Sequence, residues 1–250
     1  MVGDAYRDDL AYIHDAGFGG IARAAAPVLL DALQRQRILG GLVVDLGCGS
    51  GLLAQAVSDA GYEVLGIDIS EAMAALARKC VPRGQFRVES LLSAAIPPCV
   101  AVAAVGECLN YLFDESNNLK ALAQLFRRVY HALAPDGLFL LDVAGPGRVR
   151  GSGPRRFFAE GDDWAVLSVN EEDRRHEILT RRITSFRKVG NWYRRDHEIH
   201  RQRLLKRQEL TLTLRKTGFR VRILAGYGPL RFGRGQHGLM ARKPRPARRG

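Results

Sequence analysis

Residues 42–53 read LVVDLGCGSGLL, an apolar run that meets Asp45 and then a loop rich in glycine. Three glycines stand at alternate positions of that loop: Gly47, Gly49 and Gly51. A short, continuous apolar run is typical of a strand in the middle of a parallel sheet, and residues 52–60 are predicted to form a helix that ends at Gly61. Because glycine has no side chain, this strand, loop and helix let a ligand approach the backbone where the helix begins.

A second predicted strand, residues 62–70, carries Asp68 near its end, 21 positions after Gly47. An acidic group at that place in a doubly wound sheet accepts hydrogen bonds from the two hydroxyls of a ribose. The glycine spacing is G-x-G-x-G, which differs from the dinucleotide fingerprint, and no Lys-Ser or Lys-Thr follows to form a P-loop. Asp45 beside the loop repels a pyrophosphate but suits an ammonium or sulfonium cation. Together these residues indicate S-adenosylmethionine as the ligand.

Helical and strand-like segments alternate through most of the chain. The other segments of this alternation are helix 19–37, helix 71–80, strand 86–90, strand 100–106, helix 116–134 and strand 138–144. Residues 205–217 suit either a strand or a helix, and a helix ending at Gly218 is favoured because strand 219–226 then continues the alternation. Residues 237–243 form the final strand, with the preceding strand as a hairpin partner. The pattern predicts an α/β fold with a doubly wound, mostly parallel, Rossmann-like sheet of seven strands.

Residues 151–203 interrupt this alternation, because strand-like segments follow one another there without a helix. Segments 164–170, 176–186 and 191–200 are separated by short turns, which predicts a small antiparallel insertion. Since it has few long apolar runs, the insertion is expected to cover the substrate without forming a second core. The predicted units are an N-terminal helical lid (1–40), an α/β domain that binds the cofactor (41–150 and 204–243), an antiparallel substrate lid (151–203) and a disordered basic tail (244–250).

The composition of the chain limits its partners and its compartment. The 250 residues are 46% hydrophobic, and no apolar stretch approaches the ~20 residues of a membrane span, so a soluble protein is expected. The four cysteines form neither a CxxC pair nor a disulfide scaffold, which favours a reducing cytoplasm, and no metal site is predicted. The net charge of +12 would attract nucleic acid, but a solubilising basic end is favoured over an RNA-binding arm. A homodimer is left open.

Two segments, VVDLGCGSG and the downstream GIDIS, resemble motifs one and two of the class I S-adenosylmethionine-dependent methyltransferases. The similarity continues through VAAVGECLNYL, LAPDGLFLLDV and LRKTGFRV, and in outline it covers residues 1–243. Where the family commonly has an acid that contacts adenine, this chain has ESLL, which leaves Glu89 or Ser90 for that role. The cofactor-binding residues that the resemblance implies are Asp45, Gly47, Cys48, Gly49, Gly51, Asp68, Ile69, Ser90, Leu91, Gly106 and Glu107.

Methyl transfer from an activated sulfonium depends mainly on alignment in a dry pocket, so the segments that close over the acceptor matter most. Three regions could do so: residues 6–15, residues 107–114 and the insertion, which resembles the antiparallel lid of small-molecule members of the family. Tyr6, Tyr12 and His14 either cover the site or simply pack an amphipathic first helix. Glu107, Asn110 and Tyr111 follow the fourth strand at its carboxyl end, where binding residues collect.

Strand alternation in residues 191–203 places Glu198 and His200 on one face and Tyr193 and His197 on the other. The first face is favoured, because the lids of similar small-molecule enzymes have a Glu-x-His here, and a solvated charged face is the alternative. Arg181 and Arg182 could bind a substrate carboxylate or lie on the surface. The predicted catalytic residues are His200, Glu198 and Tyr111, and the predicted substrate-binding residues are Tyr6, His14, Asn110 and Arg182.

The expected function is transfer of a methyl group from S-adenosylmethionine to a small-molecule acceptor by in-line displacement. One alternative is a nucleic-acid methyltransferase, although GECLNY stands where enzymes that methylate base nitrogens usually have an Asn/Asp-Pro-Pro-aromatic turn. The other alternative is a non-catalytic protein that keeps the cofactor site. Neither the fold nor the cofactor site identifies the acceptor, because oxygen, nitrogen and carbon acceptors share this scaffold.

Overall fold

The computed structural model describes residues 5–151 and 153–246. Within these ranges the elements, in chain order, are α1 (Asp8–Phe18), α2 (Gly20–Arg35), β1 (Leu42–Leu46), α3 (Leu52–Asp59), β2 (Glu63–Asp68), α4 (Glu71–Cys80), β3 (Gln85–Val88), β4 (Cys99–Ala104), α5 (Leu119–Ala132), β5 (Leu133–Ala144), β6 (Arg155–Glu160), β7 (Trp164–Asp173), β8 (Ile178–Val189), β9 (Trp192–Arg203), α6 (Arg207–Thr217), β10 (Arg220–Leu224), β11 (Gly226–Tyr227), β12 (Leu230–Arg231) and β13 (Gln236–Arg242). One turn of 3₁₀ helix, Cys108–Asn110, follows β4.

The main sheet has seven strands in the order β3-β2-β1-β4-β5-β13-β10. Strands β1 to β5 are parallel, whereas β13 pairs antiparallel with β5 and with β10. This arrangement confirms the predicted doubly wound sheet and the antiparallel pairing of its last two strands. The short β11–β12 hairpin between those strands was not predicted.

Apolar residues of the sheet alternate between two layers of helices. Val43 packs with α2 and α3 on one face, and its neighbour Val44 packs with α5 and α6 on the other. The same alternation is found in β5, where Leu140 and Leu141 belong to opposite layers. A continuous apolar strand is therefore buried on both faces, as the LVV run predicts.

Local signals explain where the predicted boundaries shift. The helix predicted over 116–134 begins at Leu119, because the side chain of Asn118 caps it by accepting the N–H groups of Lys120 and Ala121. Strand β5 begins at Leu133, before the predicted 138, and its pairing with β4 shifts register in this extension. The ambiguous segment 205–217 is the helix α6, which ends at Gly218 with a φ of 113°.

The insertion is a four-stranded antiparallel sheet in the order β6-β7-β8-β9, of which β6 was not predicted. The expectation that the insertion forms no core is wrong. Two of its buried residues, Trp164 and Val166, pack against Leu10 and Ile13 of α1. This small core could not be predicted from the sequence, because its apolar residues are divided between an N-terminal helix and a strand far along the chain. Helix α1 and the insertion therefore form one structure over the sheet.

Two further predictions concern the ends of the chain and the membrane. Of the predicted disordered tail, residues 247–250 lie outside the described residues, and Arg245 contacts Asp136. No single helix in the described part of the chain is long and apolar enough to cross a membrane. Only the pair α1 and α2, bent by 60°, meets the length and composition for it. In both helices the apolar residues pack inside the protein, among them Ile13 and Leu29.

Candidate active site

A cavity of about 380 Å³ opens at the carboxyl ends of β1, β2, β3 and β4. The loops after these strands form its floor, and residues of α1, α2 and the insertion form the opposite wall. This is the crevice in which doubly wound sheets bind ligands. The cavity therefore lies where the glycine loop and the two aspartates of the sequence predict it.

The three glycines of the loop after β1 serve three different purposes. A Cβ atom on Gly47 would lie 2.5 Å from the Cβ of Cys108, so Gly47 lets the loop after β4 approach. A Cβ atom on Gly49 would meet nothing within 4 Å, because Gly49 faces the open cavity. A Cβ atom on Gly51 would lie 3.1 Å from Ala77 of α4, so Gly51 serves helix packing. Gly47 and Gly49 line the cavity and Gly51 does not.

Asp68 at the end of β2 is tied to the glycine loop. Its carboxylate accepts hydrogen bonds from the N–H groups of Gly49 (2.8 Å) and Ser70 (2.9 Å). Burial raises the pKa of Asp68, while these backbone hydrogen bonds act in the opposite direction. Each carboxylate oxygen can accept a second hydrogen bond, so the group keeps acceptor capacity towards the cavity that it lines.

Asp45 lies in a different environment from the one predicted. It is 3% exposed and does not line the cavity. Burial, and then the charge of Asp68, raises the pKa of Asp45 to about 7. The structure therefore places this carboxylate beneath the glycine loop and does not bring it into contact with the cavity.

The end of the cavity beside β3 contains a serine and an aspartate. The Ser90 hydroxyl donates a short hydrogen bond to Oδ2 of Asp114 and accepts the N–H of Leu92 at 3.2 Å. Asp114 Oδ1 accepts the N–H and the hydroxyl of Ser116, at 2.8 and 2.6 Å. Burial would raise the pKa of Asp114, but the hydrogen bonds from Ser116 and Ser90 outweigh it and lower the pKa. Asp114 therefore supplies an ionised carboxylate to the cavity wall.

The loop after β4 is held in an unusual backbone conformation. Gly106 and Glu107 have φ angles of 83° and 61°, and their N–H groups donate to the two oxygens of Asp142 at 3.0 and 3.1 Å. The hydroxyl of Tyr227 also donates to Asp142, at 3.0 Å. Burial raises the pKa of Asp142 to about 6. Positive φ is costly for Glu107, and the buried carboxylate beneath it fixes the conformation.

The side chain of Glu107 connects the sheet to the insertion. Its carboxylate accepts hydrogen bonds from Arg148 (2.6 Å), Arg181 of β8 (3.0 Å) and Gln202 of β9 (3.4 Å). Glu107, Arg148 and Arg181 all line the cavity. The cavity wall near β4 thus contains two guanidinium groups around one carboxylate.

The part of the cavity beneath α1 is aromatic and contains a histidine. The hydroxyls of Tyr6 and Tyr111 are 2.8 Å apart, and the ring of Phe113 stacks on Tyr111 with the centroids 4.9 Å apart. The ring of His14 packs edge-on against Tyr6 at 5.2 Å, and among the described residues it makes no hydrogen bond. Burial lowers the pKa of His14 to about 4, with Asp15 acting to raise it and the charges of His200 and Arg181 to lower it. His14 is therefore an uncharged imidazole in the cavity wall.

Glu198 and His200, predicted to be catalytic, lie behind this wall and do not line the cavity. The Glu198 carboxylate accepts the backbone N–H groups of Tyr6 and Arg7, both at 2.9 Å, and lies 2.8 Å from His200 Nε2. His200 is 1% exposed and packs against the ring of Tyr6 at 4.7 Å. The favoured face of β9 does point inward, but its carboxylate holds the N-terminal segment in place.

Further ion pairs join α1 and the residues before it to the insertion. Arg7 binds Asp196 at 2.5 Å, and Asp9 binds Arg187 at 3.3 Å and Arg194 at 2.5 Å. Tyr12, which was a candidate cover for the site, donates its hydroxyl to Asp163 at 2.8 Å and lies under the guanidinium of Arg187. These contacts attach the N-terminal helix to β8 and β9 from outside the cavity.

Two predicted substrate-binding residues have other roles. The Asn110 side chain donates to the carbonyls of Ala144 and Arg203, and its oxygen accepts the N–H of Ala144. This amide therefore joins the ends of β5 and β9. Arg182 has a half-exposed side chain that pairs with Glu171, whereas its neighbour Arg181 lines the cavity.

The predicted site residues divide into those that line the cavity and those that do not. Those that line the cavity are Tyr6, His14, Gly47, Cys48, Gly49, Asp68, Ile69, Ser90, Leu91, Gly106, Glu107 and Tyr111. Those that do not are Asp45, Gly51, Asn110, Arg182, Glu198 and His200. Lining residues that the prediction missed include Phe18, Phe113, Asp114, Arg148 and Gln236, and Arg181, which the sequence analysis weighed beside Arg182, also lines the cavity. Phe113 and Asp114 fall within residues 107–114, which the sequence had already marked as a closing segment.

Comparison with known proteins agrees with this geometry. A family model described as a methyltransferase domain matches residues 43–137. The chain is 27% identical to YqeM of Bacillus subtilis (strain 168) over 191 residues, which cover 72% of this chain and 74% of that protein.

Two solved structures share the fold. A S-adenosylmethionine-dependent methyltransferase from Clostridium acetobutylicum ATCC 824 superposes with a TM-score of 0.79 at 16% identity, covering 94% of this chain and 98% of that one. The sugar N-methyltransferase KedS8 from Streptoalloteichus sp ATCC 53650 superposes with a TM-score of 0.76 at 17% identity, covering 98% and 96%. At such identities the likeness concerns the fold alone, and it extends over the insertion as well as the sheet.

Proposed function

Because the chain is a class I S-adenosylmethionine-dependent methyltransferase, we propose that it methylates a small molecule held between α1, the loop after β4 and the insertion. The observation that carries this proposal is that one cavity extends from the strand ends to the space beneath α1. The cofactor end is built by the strand ends, and the same cavity continues beneath α1 to Tyr6, His14 and Tyr111.

The residues of the cofactor end fit S-adenosylmethionine in shape and charge. Bound there, the cofactor supplies an electrophilic methyl group on a sulfonium. Gly49 leaves room for its approach, and we assign the ribose hydroxyls to Asp68. Arg148 and Arg181 supply donors for a carboxylate. Among the described residues, three carboxylates (Asp68, Glu107 and Asp114) and these two guanidinium groups line the cavity, and this excess of negative charge suits a cofactor of net positive charge.

At the acceptor end, we assign proton removal to His14 and positioning to the two tyrosines. An attacking O–H or N–H group loses its proton as the new bond to carbon forms, so a neutral base beside it accelerates transfer. His14 is uncharged and unpartnered among the described residues, whereas burial raises the pKa of Tyr6 and of Tyr111 and keeps them protonated. The tyrosine hydroxyls then orient the acceptor, and the lid excludes water.

A small acceptor is favoured over a polymer because the acceptor end is covered. Helix α1 lies over it and is fixed to β8 and β9 by Glu198, Asp9 and Asp196. KedS8, a sugar N-methyltransferase, has a comparable overall fold, and the likeness covers 98% of this chain. An amino or hydroxyl group on a compact molecule such as a sugar is the acceptor class that we propose.

The experiment that tests this proposal is a transfer assay with S-adenosylmethionine labelled on the methyl carbon. The purified protein is incubated with a panel of amino sugars, sugars and small phenols, and in parallel with transfer RNA and ribosomal RNA. We expect label in the small molecules alone. Label in RNA alone would contradict a small acceptor, and the absence of transfer to either class despite cofactor binding would contradict enzymatic activity.

We also propose the cytoplasm as the compartment. All four cysteines are free thiols, of which Cys48 and Cys99 are buried and Cys80 and Cys108 are partly buried. Unpaired thiols suit a reducing compartment. Cell fractionation with an antibody against the protein checks this placement.

A further inference from the structure

We infer that Asp114, on the loop after β4, accepts a hydrogen bond from the exocyclic amino group of the cofactor's adenine and so selects adenine over hypoxanthine. The inference rests on the proposed placement of the cofactor, with its ribose at Asp68. It assigns the base-reading carboxylate to a loop that follows β4, outside the segment after β3 where the sequence directs attention.

The position of the adenine follows from the order of the strands. Asp68 ends β2, and it pairs in register with Val88, the last residue of β3. A cofactor whose ribose is held at Asp68 and whose sulfonium end lies towards β4 extends its base in the other direction, across the end of β3. The cavity wall at that end is formed by Ser90, Leu91 and Leu92, with Asp114 hydrogen-bonded to Ser90 beside them.

Asp114 is the carboxylate that remains for the base. The described cavity wall contains three carboxylates, and Asp68 is assigned to the ribose. Glu107 lies at the β4 end, where Arg148, Arg181 and Gln202 occupy it. On Asp114, Oδ1 already accepts two hydrogen bonds from Ser116, but Oδ2 accepts only the Ser90 hydroxyl. A carboxylate oxygen accepts two hydrogen bonds, so Oδ2 can accept one more from the cavity.

The surroundings of Asp114 hold it in place for this role. The Ser90 hydroxyl donates its single hydrogen bond to Asp114. It therefore orients the carboxylate and has no proton left to donate to a ligand. The side-chain amide of Asn117 donates to the carbonyls of Leu109 and Tyr111, at 3.0 and 2.6 Å, which fixes the loop from behind. Because the pKa of Asp114 is lowered, its carboxyl group is ionised at neutral pH, where it can accept hydrogen bonds but cannot donate one.

The wall also presents a donor next to this acceptor. Among the described residues the backbone N–H of Leu91 makes no hydrogen bond, and Leu91 lines the cavity beside Ser90. Adenine presents an acceptor at N1 and a donor at its amino group, which complements an N–H and a carboxylate. Hypoxanthine presents the reverse, a donor at N1 and a carbonyl oxygen, so its oxygen would face the charge of Asp114.

If Asp114 served only to shape the backbone, a different result would be expected. Its hydrogen bonds to Ser116 form a turn just before α5, and a residue that only shapes this turn would affect stability and leave base selection unchanged. The two roles can therefore be separated by comparing ligands that differ in the base alone.

The test is calorimetric titration with S-adenosylhomocysteine and with S-inosylhomocysteine, its hypoxanthine analogue. For the wild-type protein we expect the inosine compound to bind about 10- to 100-fold more weakly, the range for a hydrogen bond to a charged group. Asp114→Asn should lose this preference, because its amide can donate to the hypoxanthine oxygen. Glu115→Gln is the matched control, since Glu115 is exposed on the same loop and does not line the cavity. Thermal melting of each variant without ligand checks the fold.

A loss of preference in Asp114→Asn, with Glu115→Gln unchanged, supports the inference. If a folded Asp114→Asn protein kept the wild-type preference for the adenine compound, the inference would be overturned and base selection would be assigned to the backbone of residues 90–92. The proposed methyltransferase function would not be affected by that result. If Asp114→Asn does not fold, Ser90→Ala provides the second test, and the inference then requires a partial loss of preference. Failure of the wild-type protein to bind either compound would overturn the cofactor placement together with the inference.

Discussion

The two ends of the cavity are held by carboxylates in opposite electrostatic situations. Beneath the cofactor end, Asp45 and Asp142 are buried in the sheet and have no cationic partner in the part of the chain that the structure describes, and burial raises their pKa values to about 7 and about 6. Over the acceptor end, Asp9 bonds to Arg194 and Asp196 bonds to Arg7. The bond from Arg194 lowers the pKa of Asp9, and that of Asp196 is lowered despite the opposing effect of burial.

This difference shows how each end is built. The cofactor end is organised by backbone N–H groups of neighbouring loops, which bind Asp68 and Asp142 directly. The acceptor end is organised by side-chain contacts between segments far apart in the chain, such as Tyr6 with Glu198 and Asp9 with Arg194. The first end depends on local backbone geometry, and the second depends on matching charges across the lid. We expect them to respond separately to mutation and to pH.

The largest expected effect is the pH response of the buried carboxylate beneath the cofactor loop. Between about pH 4 and about pH 7 the native protein keeps a proton on Asp45 that the unfolded chain has released. The free energy of unfolding should therefore fall with rising pH in the wild type relative to Asp45→Asn, by a total on the order of 4 kcal/mol. Urea unfolding of both proteins across this range measures the difference.

The lid provides the control of opposite sign. Asp9 has a lowered pKa, so its contribution is present above the pKa of the unfolded chain and is lost as the pH falls through the folded value. Relative to Asp9→Asn, the wild type should lose its advantage only below about pH 4. Identical pH slopes in the wild type and Asp45→Asn would show that Asp45 is not a titrating buried group.

At the acceptor end, His14→Gln should lower methyl transfer by about 100-fold or more, the usual contribution of a general base. The affinity for S-adenosylhomocysteine should stay within about twofold, because His14 is assigned to the acceptor alone. Single-turnover rates with the acceptor found in the panel measure the first quantity, and calorimetry measures the second. His176→Gln is the matched control, since His176 is exposed on the insertion.

The pH profile gives a second reading of the same residue. A base with a pKa of about 4 is already unprotonated at neutral pH, so the rate should hold down to about pH 5 and fall as the pH passes through about 4. A rate that is unchanged in His14→Gln would make His14 a packing residue of α1, which is the alternative that the sequence left open.

At the cofactor end, Asp68→Ala should weaken binding of S-adenosylhomocysteine by about 30- to 100-fold while the protein stays folded. The change removes charge-assisted hydrogen bonds to the ribose and frees the N–H groups of Gly49 and Ser70. Calorimetry measures the affinity, and Asp59→Ala at the exposed end of α3 is the control. Wild-type affinity in a folded Asp68→Ala protein would refute the ribose assignment.

The smallest effects separate the glycines of one loop. Gly47→Ala should destabilise the protein by about 2 kcal/mol or more, because the residue has a positive φ and its Cβ would clash with Cys108. Gly49→Ala should cost only about 1 kcal/mol, the conformational part, because its Cβ would meet open space. Cofactor affinity should fall in Gly49→Ala, whose new methyl group enters the cavity. Equal losses of stability in the two variants would contradict this division.

The same comparison explains what the sequence could predict. The glycine loop, Asp68 and the strand order follow from short motifs and strand–helix alternation, and the structure confirms the sheet that they predict. Which side chain closes the acceptor end depends on contacts between residues separated by much of the chain. Alternation placed Glu198 and His200 on the inward face, but it could not show that the backbone of Tyr6 and Arg7 occupies the carboxylate.

Two misses have the same physical origin. The choice between Arg181 and Arg182 depends on the face of β8, which is set by its pairing with β9 through Arg181 and His200. Asp114 was overlooked because its partner Ser90 follows a different strand, and only the fold brings the two together. In both cases the residue type was visible in the sequence and its neighbour was not.

The most direct test of two separately built ends is calorimetry of S-adenosylhomocysteine with Glu198→Gln beside Asp68→Ala. In Glu198→Gln one backbone N–H of the N-terminal segment loses its acceptor, so α1 is less firmly held over the acceptor. We predict an affinity for the cofactor product within about twofold of wild type, together with methyl transfer lowered about tenfold, and no change in either for Glu171→Gln on the exposed side of the insertion. A loss of affinity in Glu198→Gln as large as that in Asp68→Ala would contradict the separation of the two ends.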